Sequence, residues 1–410
     1  MARIALHWQI MVALVAGALA GWLLGDWILH LEFIGTLFLK TLKMIIVPLI
    51  AASIISGIAG IGQAGNFGRL GGKTFIYYIT TSLFSILTGL FLVNLFQPGV
   101  GAKLGLSATP DKLAESMARF GNSPTEAVQR LLLDLIPTNP IQAMANGEIL
   151  QLIFFCLLFG FFMTRLPDPL RQPLTNFFQA VFETMMRITH FVILFAPLGV
   201  FALVAKVVAT TGPEVFKDLG LYALTVVCGL VVHAAIILPT LLLIVGRVHP
   251  INHARAMAPA LLTAFSTSSS SATLPLTMDS LEKRAGVSNR TTSFVVPLGA
   301  TVNMDGTALY ECVAAMFIAQ AYGIDLNFGQ QFLIVLTALL ASIGAAGIPM
   351  AGLVMISVIL TAVGLPLEGL GLILAVDRVL DMCRTTVNVW SDSCGAVLVA
   401  RSEGENLDRS

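Results

Sequence analysis

Apolar residues come in runs long enough to cross a bilayer, and the character of those runs changes after residue 249. A first run from about Ala5 to Gly25 is followed by others near residues 34–60, 74–97, 145–165, 173–208 and 218–246. About 20 apolar residues in a helix span the hydrocarbon core, so each run predicts a transmembrane helix, and the last two, being longer, are predicted to tilt. The first run outlasts a signal-peptide core and reads as a helix, with Gly17, Gly21 and Gly25 at four-residue steps forming a close packing face. Residues 99–140 are less apolar and mixed in charge, which predicts an external loop carrying a short amphipathic helix near Thr125–Ile136.

Beyond His249 small polar residues interrupt the apolar pattern. Residues 256–280 are broken by the run from Ser266 to Pro275, and residues 331–362 by the run from Gly344 to Gly352. The half-segments on either side are too short to cross alone, so two re-entrant hairpins are expected. Each precedes a helix bearing polar residues, one with Asn303 and Asp305, the other with Asn388 and Asp392. Hairpin plus helix, twice, is an internal repeat. The parity of crossings inverts one copy relative to the other, so that both tips meet at mid-membrane, a layout from which secondary transporters build binding sites.

Composition supports a membrane class. Of 410 residues 56% are hydrophobic and 11% charged, against about a quarter charged in soluble domains, and mean hydropathy is +0.87. Net charge is zero with no block of like charge, so no nucleic-acid partner is expected. Arg69 and Lys73, then Arg165 and Arg171, then Arg247 and Arg255 fall in alternate connections, while the connection with Asp26 and Glu32 has no Lys or Arg. The positive-inside rule therefore puts the N-terminus in the cytoplasm. The five cysteines, Cys156, Cys228, Cys312, Cys383 and Cys394, lie apart in apolar segments and read as free thiols rather than disulfides or metal ligands.

The chemistry concentrates between Asp377 and Asp392. Asp377, Asp381, Arg384, Asn388 and Asp392 follow one another at steps of 4, 3, 4 and 4 and share a helical stripe about 80° wide. Charge at mid-bilayer costs about 2.5–3.5 kcal/mol, so such a stripe faces a bundle interior or a wet cavity. Asp305, Glu311, Asp377, Asp381 and Asp392 supply five carboxyls, whereas Arg384 is the stripe's only base and Arg378 sits off it. A proton or a hard cation held by Asp and Asn oxygens, and by carbonyls freed where Gly299 and Gly306 loosen the helix, would complete the charge. Arg384 offers a fork for a carboxylate, Asp377 one that holds the fork, and Asp381 an acceptor for an ammonium; together they describe a receptor for an acidic amino acid. The bland readings are an ion-pair ladder for the stripe, a flexible linker for the serine run, core residues for His190 and His233, and an intrahelical pair for Glu183 and Arg187. Glu311 reads equally as the partner of a distant base.

SSSSATLP at 268–275, NMDGTALYE at 303–311, GAAGIP at 344–349 and LDMCRTTVN at 380–388 resemble the sodium-coupled glutamate/aspartate and neutral amino acid transporter family, which includes the excitatory amino acid transporters. The resemblance covers nearly the whole chain. It implies an all-α polytopic membrane protein with eight transmembrane helices plus two re-entrant helical hairpins in inverted repeats, working as an elevator-type homotrimer and not as an enzyme. Residues 1–70 would be scaffold helices 1–2, residues 71–98 transport-domain helix 3, and residues 99–210 the external loop with scaffold helices 4–5. Residues 211–410 would be the rest of the transport domain, with hairpins at about 251–283 and 328–362.

By the same resemblance the substrate is held by Ser269, Ser270, Thr307, Ile348, Gly352, Asp381, Arg384, Thr385 and Asn388, with Asp377 in support. Sodium is held by three sets: Gly299, Asn303, Asn388 and Asp392; Tyr78, Thr81, Ser82, Asn303 and Asp305; and Thr301, Ser342, Ile343 and Ala345, with Met304 nearby. Glu311 matches the proton-carrying glutamate of the eukaryotic carriers. Ser268 and Met382 stand where relatives place an arginine beside the amino-binding aspartate, which leaves Asp381 without a second base, and Met350 replaces a usual glycine. The expected function is sodium-coupled symport of L-glutamate or L-aspartate in a bacterial inner membrane, with both termini cytoplasmic and with H⁺ as an added co-ion. A proton-driven glutamate or C4-dicarboxylate carrier of the same fold is the alternative, and an ion channel the rival from another class.

Overall fold

The computed structural model describes residues 6–62, 68–102, 133, 136–146, 148–211, 215–344, 351–405 and 407, and every regular element among them is helical. The chain opens with α1 (Leu6–Leu24), a 3₁₀ turn (Gly25–Leu31), α2 (Glu32–Gly62) and α3 (Gly68–Phe96). α4 (Pro140–Asn146), α5 (Ile149–Met163), α6 (Asp168–Ile193) and α7 (Ala196–Thr211) follow. α8 (Val215–Val232) runs on as one rod through two π turns, His233–Ile237 and Leu242–Gly246. These turns bracket Pro239, whose ring cannot sit in a regular α ladder, so the wider turns absorb the misfit. Residues 69–96 and 219–246 are helices long and apolar enough to cross a membrane. The expected helix near Thr125–Ile136 lies almost entirely outside the described residues.

Two sequence expectations change. The run at 173–208 is not one helix: the chain turns at Leu194–Phe195 before Pro197, giving α6 and α7. Gly17 and Gly21 do make a packing face, against α7, where a Cβ would lie 2.6 Å from the Phe201 carbonyl oxygen and 2.4 Å from that of Ala205. Gly25 does not share it. At φ +51° with no neighbour within 4 Å, it turns the chain out of α1.

The second half is built from paired helices. α9 (Pro250–Thr267) and α10 (Ser270–Lys283) meet at Ser268, which takes a left-handed φ of 51°, and Ser269 caps α10 by accepting the Ala272 N–H. The serine run is thus a tight helix-to-helix tip rather than a linker. α11 (Asn289–Val302) and α12 (Asp305–Ala321) are separated by Asn303 and Met304, whose backbone leaves the helical range. α13 (Phe328–Gly344) and α14 (Ala351–Val363) pack together, and the connection between them lies outside the described residues. α15 (Leu370–Ser402) completes the set. Residues 305–319 of α12 are buried on all sides, so α12 is the axis about which α3, α8, α13, α14 and α15 are arranged.

The polar ends of this body are tied by its last residues. Glu403 pairs with Arg69 and Lys73 at the start of α3, and Glu405 accepts from Ser288 and Thr291 at the start of α11. Hydrogen bonds from Lys73 and Arg69 hold the Glu403 carboxyl below its ordinary range, so this tie persists at neutral pH and is lost only as acid protonates the carboxyl. All five cysteines are free.

Gly21→Val would place a side chain into the Ala205 carbonyl, an overpacking that costs about 1–3 kcal/mol. Thermal unfolding in detergent is expected to move down by several degrees, whereas Gly220→Ala, where a Cβ meets nothing within 4 Å, should leave it in place or raise it.

Candidate binding site

All five stripe residues of α15 are buried: Asp377, Asp381, Arg384, Asn388 and Asp392. Arg384 is 1% exposed and makes charge-assisted bonds to two carboxylates, Nε to Asp381 Oδ1 at 2.9 Å and Nη1 to Asp377 Oδ1 at 3.0 Å. Its guanidinium carbon stands 4.2 Å from the centre of the Tyr310 ring, and the Tyr310 hydroxyl donates to Asp377 Oδ1 at 2.6 Å. The start of α14 closes the other side, where a Cβ on Gly352 would lie 2.8 Å from the guanidinium carbon. The fork is therefore clamped between an aromatic face and a bare backbone.

The charge inventory read from sequence needs correcting at two points. Arg378 lies off the stripe, yet its Nη1 reaches to 3.7 Å from Asp381 Oδ2, so Asp381 has a second base after all. A long side chain covers the 100° offset. His233, expected in the core, lies at the site: Nε2 is 3.0 Å from Asp305 Oδ2, and both side chains are fully buried. It comes from the π turn of α8, 72 positions away, and no local spacing could have revealed it.

Below Arg384 a second group of oxygens surrounds the break between α11 and α12. Asp305 accepts from Ser82 at 2.7 Å and from Ser391 at 2.6 Å, and its carbonyl accepts from Ser85 at 2.8 Å. Asn303 donates to Asp392 at 2.9 Å and to Ser391 at 3.0 Å, while Thr81 lies 3.5 Å from the Asn303 side-chain oxygen. The Tyr78 hydroxyl donates to the Val295 carbonyl at 2.6 Å. Asn388, one turn after Arg384 and one turn before Asp392 on α15, caps α12: its amide oxygen accepts the Gly306 N–H at 2.7 Å, and its nitrogen donates to Thr307 at 3.0 Å. Ser85, Ser391, Tyr310 and Tyr77, whose hydroxyl donates to the Ser391 carbonyl at 2.9 Å, do not stand out in the sequence, although Ser391 lies next to a stripe residue.

Gly299 and Gly306 do not loosen the helix as expected. The Gly299 carbonyl accepts the Asn303 N–H inside α11, and a Cβ there would lie 2.3 Å from Asp392 Oδ1. At Gly306 a Cβ would lie 2.5 Å from the Arg384 carbonyl oxygen. Both glycines let helices approach, and the unwinding falls between them at Asn303 and Met304.

The remaining candidates divide. Ser269, Ser270, Thr307 and Thr385 are buried, the first two at the α9–α10 tip, whose helices both pack on α15. Ser342 and Ile343 end α13, which packs on α11 near half-buried Thr301; the Ser342 hydroxyl is spent on the Leu339 carbonyl. Ile348 and Ala345 lie outside the described residues. Glu311 is fully buried, and neither carboxyl oxygen has a hydrogen-bond partner among the described residues. No group of three or more His, Cys, Asp or Glu able to hold a metal ion occurs among the described residues.

The match to known proteins extends over this whole architecture. The model of the sodium:dicarboxylate symporter family covers residues 6–402. The proton/glutamate-aspartate symporter of Escherichia coli (strain K12) is 40% identical over 415 residues, covering 98% of this chain and 93% of that protein. Excitatory amino acid transporter 3 of Homo sapiens is 38% identical, covering 93% of this chain and 80% of that protein. The proton/sodium-glutamate symport protein of Bacillus caldotenax is 33% identical, covering 99% and 96%. With its helical breaks, its buried stripe and a family match that leaves only the chain ends uncovered, the chain belongs to the sodium:dicarboxylate symporter family, and is a polytopic membrane transporter rather than an enzyme.

Proposed function

We propose that the chain is a secondary active symporter of an acidic amino acid, L-glutamate or L-aspartate. The observation that carries this reading is the buried Arg384 fork between Asp377 and Asp381. Arg384 takes the substrate's side-chain carboxylate, Asp381 its ammonium, and Asp377 with Tyr310 keeps the fork in plane. Ser269, Ser270, Thr307, Ile348, Gly352, Thr385 and Asn388 complete the pocket. A C4-dicarboxylate has no ammonium for Asp381, which favours the amino acid. The names of two of the relatives above, which carry glutamate or aspartate, point the same way.

Sodium is the principal co-ion, held around Asp305 with Tyr78, Thr81, Ser82 and Asn303, around Asp392 with Gly299, Asn303 and Asn388, and around Thr301 with Ser342, Ile343 and Ala345. Glu311, buried with no hydrogen-bond partner among the described residues, carries a proton with the substrate. Purely proton-driven transport is the second reading, favoured by that same carboxyl and by the proton coupling in the names of two relatives. The α9–α10 and α13–α14 pairs act as re-entrant hairpins of an inverted repeat within eight membrane spans, and with α3, α8, α11, α12 and α15 they move as an elevator body against α1, α2 and α4–α7. The membrane is a bacterial inner membrane, with both termini on the cytoplasmic side.

A homotrimer is supported by α6. Its Gln172, Asn176, Gln179, Glu183 and Arg187 form an exposed polar ridge at steps of 4, 3, 4 and 4. Glu183 accepts from Gln179, and no ion pair with Arg187 is found among the described residues, so the intrahelical pairing expected from sequence is replaced by two charges left for a neighbouring copy. Lipid would leave both unsatisfied.

In liposomes, an imposed sodium gradient is expected to drive saturable, concentrative uptake of glutamate or aspartate; uptake under a proton gradient alone would select the second reading, and non-saturating flux would select a channel. In the same assay Arg384→Thr is expected to weaken acidic substrates by on the order of a hundredfold, as the loss of a buried charge-assisted pair implies, and to spare neutral amino acids. Unchanged acidic uptake would refute the pocket. Glu311→Gln is expected to flatten the dependence of uptake on pH. Reversing Glu183 to Arg or Arg187 to Glu singly should split the oligomer in detergent by light scattering, and reversing both should restore it; an oligomer indifferent to either change removes α6 from the interface.

A further inference from the structure

Arg378 is not among the residues assigned to the pocket, yet with Arg384 it is one of two bases that form ion pairs with Asp377 or Asp381 among the described residues. It sits one position after Asp377 on α15, its side chain is 12% exposed, and its Nη1 stands 3.7 Å from Asp381 Oδ2. Its Nε is buried with no hydrogen-bond partner among the described residues. Asp381 is thus addressed from two sides. Oδ1 receives Arg384 Nε at 2.9 Å, and Oδ2 faces Arg378. Counted with Asp377, the cluster holds two carboxylates and two guanidiniums and is neutral.

We propose that Arg378 is the positioning residue that frees Arg384 for an anionic substrate. With only Arg384 to neutralise it, a buried Asp381 would hold that guanidinium tightly, because an uncompensated carboxylate in an apolar interior is the costliest alternative. Arg378 supplies the second positive charge. Asp381 keeps Oδ2 on Arg378 and can release Oδ1 to the substrate's ammonium, while Arg384 turns to the substrate's carboxylate. The 3.7 Å gap and the unsatisfied Nε leave Arg378 room to close on Asp381 as Arg384 departs. Its charge also decides what the cluster accepts: with Arg378 the pocket is neutral before the substrate arrives, and without it the pocket is anionic and repels a second carboxylate. The inference rests on the assignment of Arg384 and Asp381 to substrate.

The test is radiolabelled glutamate and aspartate uptake in liposomes holding purified protein, with competition by glutamine and asparagine, which match the substrates in shape but carry no side-chain charge. Arg378→Gln is expected to raise the KM for the acidic substrates at least tenfold, to keep the rate at saturation within about twofold, and to shift competition toward the amides. Arg378→Lys, which keeps the charge, should recover most of the loss. A KM within twofold of the parent for Arg378→Gln, or equal damage from Gln and Lys, overturns the proposal. Should the Gln variant not yield a monodisperse protein, Arg378→Lys decides alone: a KM within threefold of the parent supports a charge requirement, and a larger rise overturns it. Asp381→Asn and Arg384→Thr run alongside. If either transports acidic substrates normally, the pocket assignment itself fails, whatever Arg378 does.

Discussion

A guanidinium buried among apolar helices is the constraint that orders this molecule. Breaking a buried ion pair by removing one partner costs about 3–5 kcal/mol, so Arg384 dictates what surrounds it. Asp377 and Asp381 must lie two turns and one turn back on the same helix, and Tyr310 must present its face from α12 with its hydroxyl turned to Asp377. Gly352 must be free of a side chain so that α14 can close over the top. Gly306 must be bare so that α12 can approach the Arg384 backbone. Three helices are positioned by what one side chain requires.

The second constraint is the break at Asn303 and Met304. A continuous α11–α12 helix would spend its carbonyls and amides on itself; unwinding it at membrane depth leaves backbone polar groups that must be satisfied by protein. Asn388 meets the new N-terminus of α12, and Ser85 meets the Asp305 carbonyl. Asn388 therefore sits on α15 between Arg384 of the one cluster and Asp392 of the other, holding the start of α12 against that helix. A helix shared by both clusters is one physical route by which occupancy of either can bias the other.

Much of this was legible in the sequence because hydrophobicity and charge conflict there. An apolar helix carrying Asp377, Asp381, Arg384, Asn388 and Asp392 at one face had to bury that face, and it does. The tip at Ser268 was legible because apolar half-helices flank it. Periodicity alone did not decide, however: α6 carries a polar ridge with the same 4, 3, 4, 4 steps, and that ridge is exposed. The difference lies in tertiary packing, with α15 wrapped by eight other helices while α6 lines one side of α2. Arg378 was set aside because the helical wheel counts Cβ directions, whereas an arginine reaches around the wheel. His233 was invisible for a different reason, since its partner Asp305 is brought to it only by the fold.

The arrangement also explains why substrate and cations should act together. Before binding, the acids at Arg384 are answered by protein bases, while Asp305 and Asp392 are answered by hydroxyls, an amide and one imidazole. An acidic amino acid brings two carboxylates and one ammonium, so its arrival adds net negative charge to a space that water does not screen. On the proposed assignment, a cation lodged among the oxygens around Asp305 and Asp392 would offset the added charge through low-dielectric protein. Each ligand then lowers the cost of the other without touching it, and by linkage the effect must run equally in both directions.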